Sequence, residues 1–84
     1  MTKHMKYLVK IAKAENGLFV AIGRIAKALK VSDDKDIRDT LSLTKQHLEA
    51  ELRIIKKLYC TKCREYGIYD KEVMQNMHMP AVID

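Results

Sequence analysis

Ile37-Arg38-Asp39-Thr40-Leu41-Ser42-Leu43-Thr44-Lys45-Gln46-His47-Leu48-Glu49-Ala50-Glu51-Leu52-Arg53-Ile54-Ile55-Lys56-Lys57-Leu58-Tyr59 is the stretch on which the fold turns. Its apolar positions Ile37, Leu41, Leu48, Leu52, Ile55 and Tyr59 recur at the three- and four-residue steps of one helix face, with Thr44 in the missing slot. Read as a single element, it is a helix roughly 35 Å long at about 1.5 Å per residue. A compact domain of this size has a radius of gyration near ~12 Å, so such a helix would span the molecule. The alternative is a break at Thr40-Leu41-Ser42-Leu43-Thr44, where short hydroxyl side chains compete with the helix for backbone hydrogen bonds. Leu43 also lies off the apolar face, which a turn explains and a straight helix does not. The break is the favoured reading.

Upstream, Ser32 has the chemistry of an N-cap, and Asp33, Asp34 and Asp36 follow it at the positive end of a helix dipole, so a helix is expected to start at Asp33. Residues 1–16 form an N-terminal helix by period, with Met1, Met5, Leu8, Ile11 and Ala12 on one face and Lys3, Lys6, Lys10 and Lys13 on another. Asn16-Gly17 is expected to end it. Phe19, Ile22, Ile25, Ala26 and Leu29 continue the pattern in a second segment, although Leu18-Phe19-Val20 also fits a short strand. Gly23 within that segment weakens a helix and points to a closely packed neighbour. Downstream, Tyr59-Cys60-Thr61-Lys62-Cys63-Arg64-Glu65-Tyr66-Gly67-Ile68-Tyr69 gathers aromatic and β-branched residues around a glycine and reads as a hairpin. In the tail, residues 71–84, a helical turn or two is expected from Val73 before Pro80 stops it.

The 84 residues leave room for one domain, with a 19–58 helical core between the N-terminal helix and a 59–70 hairpin. Composition is that of a globular chain, 48% hydrophobic and 32% charged, without Trp and with a single Phe, so Leu, Ile, Val, Ala and Met must build the core. Two cysteines cannot staple a fold, no apolar run reaches the roughly 20 residues of a membrane span, and no apolar segment follows the basic N-terminus as in a secretory signal. A cytoplasmic, thiol-reducing setting is expected.

Charge is unevenly placed. Residues 1–31 carry seven basic side chains against Glu15 alone, a balance of +6, and residues 53–71 stand at +4, while residues 32–52 between them stand at −3. The basic blocks suit a polyanion, and equally they suit ordinary solvated helix faces.

With a break at Ser42, residues 37–55 resemble a helix-turn-helix: Ile37 and Leu41 on a first helix, Leu43 in the turn, and Leu48, Leu52 and Ile55 on a second. Followed by a basic hairpin, the region 19–70 is similar to winged-helix DNA-binding regulators, departing from them at Arg38, where that motif usually carries a small residue. The resemblance implies a mainly α fold, a small winged helix-turn-helix domain with an extra N-terminal helix and a C-terminal β-hairpin. An all-α helical bundle with a long third helix is the other arrangement. A second register, with Arg24 to Val31 as the first motif helix, would point Asp33 and Asp34 at phosphates and is electrostatically poor.

The favoured register implies duplex DNA as partner, read by Thr44, Lys45, Gln46, Glu49 and Arg53 and held by Lys56, Lys57, Lys62 and Arg64. Such a regulator would act as a homodimer, paired through its first helix or its Met-rich tail. The rival readings are a helical protein-interaction module docking on a larger complex, and RNA binding, which the same charges allow.

Cys60 and Cys63 form a CxxC, and His78, fifteen positions on, offers a third zinc ligand. A fourth would have to come from His47, His4 or another subunit, and reduced structural thiols are the simpler reading. A redox role is disfavoured because the pair is expected in a strand and not at a helix N-terminus. No phosphate loop, paired-carboxylate site or nucleophile–histidine arrangement appears, so neither catalysis nor a small-molecule substrate is expected.

Overall fold

The computed structural model describes the backbone of residues 2–83 and the side chains of residues 2–77. Three helices account for nearly all of it: α1 (Lys3–Val31), α2 (Lys35–Tyr66) and α3 (Asp70–Ile83). The two long helices lie antiparallel and the short third packs beside the lower half of α1. The result is a rod, 48 × 30 × 16 Å, with a radius of gyration of 16.2 Å.

Local chemistry fixes each end. The Thr2 side chain accepts from the Met5 amide at 3.2 Å and caps α1. Asp34, not Ser32, caps α2: its carboxylate accepts from the Ile37 amide at 3.1 Å, and the helix starts two residues later than expected. Ser32 instead closes α1, its amide donating to the Ala28 carbonyl at 3.1 Å. At the far end of α2, Gly67 sits at φ 66°, the left-handed conformation that glycine adopts without a side-chain penalty. The Ile68 amide donates to the Cys63 carbonyl and the Gly67 amide to the Arg64 carbonyl, a Schellman ending that swings Ile68 onto the core.

The winged helix-turn-helix is corrected at both of its defining features. Among the described residues there is no strand, and residues 59–70 are the last two turns of α2, the Gly67 turn and the start of α3. The residues read as β-forming, Tyr59, Cys63 and Tyr66, stand at helical spacing and pack on or against the core, so burial overrides strand preference. Nor is there a bend at Ser42. The Thr44 hydroxyl donates to the Thr40 carbonyl one turn back at 2.9 Å, so the side chain expected to break the helix bonds within it.

α1 likewise runs on through Asn16-Gly17, because Leu18, Ile22, Ile25 and Leu29 extend its half-buried face along α2 and outweigh the weak helix formers Asn16, Gly17 and Gly23. Nothing lies within 4 Å of where a side chain at Gly23 would begin, so the close neighbour expected there is absent. α3 extends to Ile83, well beyond the turn or two expected.

The core occupies one end of the rod. Met5, Leu8, Val9 and Ala12 of α1 meet Tyr59 of α2 and Val73 of α3, with Leu8 and Val73 fully buried. From Lys13 to Leu58 no residue is buried, because the upper part of the hairpin is two helices thick and nothing covers its flanks.

Candidate interaction surface

The unbroken α2 redistributes the residues expected to read DNA. Thr44 spends its hydroxyl on the helix backbone. Lys45, half-buried, pairs with Glu49 at 3.2 Å, and both line a hollow against Ala26 and Leu29 of α1. Gln46 and Arg53 are exposed on the middle of a 32-residue helix rather than on a short projecting one. Lys56 borders a second hollow beside Phe19, and Lys57 faces solvent. Lys62 pairs with Glu65 at 3.1 Å and lies 5.7 Å from the centre of the Tyr66 ring, where that carboxylate raises its pKa. Arg64 borders a cavity at the α2–α3 junction. Along the continuous α2, Gln46, Arg53, Lys57 and Arg64 stand at steps of seven, four and seven and share one side of the helix, Lys45, Glu49 and Lys56 flank it nearer α1, and Thr44 and Lys62 lie on another side.

Arg38, the misfit in the helix-turn-helix comparison, has a structural role. Its Nη1 donates to the Leu29 carbonyl at 2.6 Å and the Ser32 carbonyl at 2.8 Å, satisfying acceptors at the end of α1 from the first turn of α2. A small residue there would leave those carbonyls to water.

Cys60 and Cys63 are free thiols in helix, not strand, one exposed and one half-buried. They line a cavity of about 420 Å³ with Tyr59, Arg64, Ile68 and Tyr69. Burial pushes the Cys63 thiol above its ordinary pKa, which disfavours the nucleophilic thiolate. No group of three metal-ligating side chains occurs among the described residues, and the side chain of His78 lies outside them. His4 stacks on Tyr66 with ring centres 3.9 Å apart and planes at 3°, joining the start of α1 to the end of α2.

Two surfaces remain unaccounted for. One is the outer face of α1, where Lys3, Lys6, Lys10, Lys13, Arg24 and Lys27 are all exposed and none takes part in an ion pair among the described residues. The other is the outer face of α2. Leu43, Ala50, Ile54 and Leu58 follow one another at steps of seven, four and four, with His47 in the slot between the first two, the spacing of a second and largely apolar stripe. It lies away from the stripe that meets α1, and Leu43, Ile54 and Leu58 stay 55%, 60% and 41% exposed. The sequence held its signal in Leu43, whose offset from the first stripe repeats at Ile54 and Leu58.

Among the described residues no helix is long and apolar enough to cross a membrane. Comparison of the chain with protein-family models, with curated proteins and with solved structures finds no match.

Proposed function

We propose that this chain is a helical protein-interaction module whose outer α2 face pairs with another α-helix. The observation that carries the reading is the second stripe itself. A solvated helix back places charged or polar residues where α2 places Leu43, Ile54 and Leu58, and apolar residues at three- and four-residue steps are what helix pairing requires. The sparse core agrees, since a hairpin with no buried residue between Lys13 and Leu58 gains stability from a covering partner. The test is a titration of the methyl-labelled chain with a synthetic helical peptide bearing leucines at alternating three- and four-residue steps. Shifts centred on Leu43, Ile54 and Leu58 are expected. Shifts confined to other faces, or none, overturn the reading.

A second reading rests on the outer face of α1, whose unpaired lysines and arginine suit a polyanion, duplex DNA or RNA. It predicts a nucleic-acid shift that weakens steeply with salt and is lost in Lys6→Glu with Lys10→Glu and Lys13→Glu. Competition between duplex DNA and single-stranded RNA separates the two ligands.

A further inference from the structure

We propose that Cys60 and Cys63 bind one copper(I) ion between their sulfur atoms, one turn apart on α2. Both thiols are free, and both line the cavity of about 420 Å³ at the α2–α3 junction, where Gly67 adds no side chain to the wall. Helix positions at this spacing share a side, with Cβ atoms roughly 5–6 Å apart. A disulfide needs Cβ atoms about 3.5–4.5 Å apart, so the continuous helix holds the pair too wide for a direct sulfur–sulfur bond. An ion bridging the two sulfurs spans two metal–sulfur bonds of about 2.3 Å each, and that reach suits the spacing.

The ligand count selects the ion. Soft thiolates favour copper(I), zinc and iron–sulfur clusters. Structural zinc takes four ligands and the clusters are held by sets of cysteines, whereas copper(I) is satisfied by a pair of thiolates. Among the described residues no third His, Cys, Asp or Glu joins the pair to hold a metal. Asp70, the one carboxylate on the cavity wall, has its Oδ1 engaged by the Tyr59 hydroxyl. Charge agrees with the choice. Copper(I) displaces both thiol protons, and the ion with its two thiolates carries a single negative charge. Lys56 stands one turn before Cys60 and Arg64 one turn after it, both exposed and neither in an ion pair among the described residues. Two cations thus flank an anionic complex.

The reduced full chain, titrated with copper(I) in the absence of oxygen against a coloured copper(I) chelator, tests the assignment. One ion per chain is expected, with the ultraviolet absorption of sulfur-to-copper charge transfer. Cys60→Ser and Cys63→Ser should each weaken retention more than about tenfold, with circular dichroism reporting that each variant is folded. Cys63→Ser with Thr61→Cys keeps two thiols but sets them on different sides of α2, and it should hold copper no better than the single variants. Arg64→Glu should weaken retention several-fold at unchanged stoichiometry. Copper held as tightly by either serine variant, or by the Thr61→Cys arrangement, overturns the proposal, as does one ion shared between two chains. Zinc(II) displacing copper(I) at equal concentration overturns it too, since zinc requires the further ligands that a two-thiolate site lacks.

Discussion

The Tyr59 hydroxyl donates a 2.6 Å hydrogen bond to Asp70 Oδ1, tying the last turns of α2 to the first residue of α3. Tyr59 is the one buried residue of α2, so this contact and the ring around it hold the third helix against the hairpin. A hydrogen bond to a charged group contributes about 1.5–3 kcal/mol, and because Asp70 is exposed and regains water when the partner is lost, Tyr59→Phe is expected to cost about 1.5 kcal/mol, the lower end of that range. Urea denaturation followed by helicity measures it. A variant as stable as the parent refutes the role given to the hydroxyl.

The same junction makes stability fall in alkali. Burial, then the bond to Asp70, raises the Tyr59 pKa above its ordinary 10.0, and burial raises that of Cys63 above 9.0. Both groups hold their protons more tightly folded than unfolded. Their contribution is therefore complete below the ordinary values and is lost as pH climbs through and beyond them. Melting temperature is expected to be flat from neutrality to about pH 8.5 and to drop above it. The drop should be shallower in Tyr59→Phe, and an equal slope in the two proteins would remove Tyr59 from the account.

Arg38 supplies a cap from a distance in sequence. Replacing it with Ala frees the Leu29 and Ser32 carbonyls, both near the surface, and is expected to lower stability by about 1 kcal/mol. Amide exchange should localise the effect, with faster exchange in the last turn of α1 and little change around Tyr59. Uniform acceleration along the whole chain would instead mean that Arg38 acts on global stability and not on that helix end.

Much of the architecture is legible in the chain, and the failures share a cause. The apolar faces of α1 and α2 follow directly from spacing at Met5, Leu8 and Ala12 and at Leu41, Leu48, Leu52 and Ile55. Thr40, Ser42 and Thr44 mislead because a hydroxyl that competes with a helix in one setting bonds within it in another, and only the continuing contact with α1 decides between them. Tyr59, Cys63 and Tyr66 mislead because strand preference reports a half-buried surface, which the end of a helical bundle also provides. Leu43 stands out in the sequence as an anomaly that a turn would explain. Its agreement with Ile54 and Leu58 becomes visible only once α2 is known to be continuous. The bend would place the residues expected to read DNA on a short projecting helix, and without it they run from Thr44 to Arg64 along the 32-residue α2.

Two glycines should respond in opposite directions to the same substitution. At neither Gly23 nor Gly67 does any atom beyond the local backbone lie within 4 Å of the point a Cβ would occupy, so packing contributes to neither outcome and the backbone decides both. Gly23 lies inside α1, where Ala loses less conformational freedom on folding, and Gly23→Ala is expected to stabilise the protein by about 0.5–1 kcal/mol. Gly67 is left-handed at φ 66°, where a Cβ meets the following carbonyl oxygen, and Gly67→Ala is expected to destabilise by about 1 kcal/mol. Because Gly67 also turns Ile68 onto the core, its variant should loosen α3 first, detectable as earlier exchange at Val73 than at Leu8 during denaturation. Effects of the same sign at both positions would mean that α1 is not helical at Gly23 or that the Gly67 turn is not left-handed in solution.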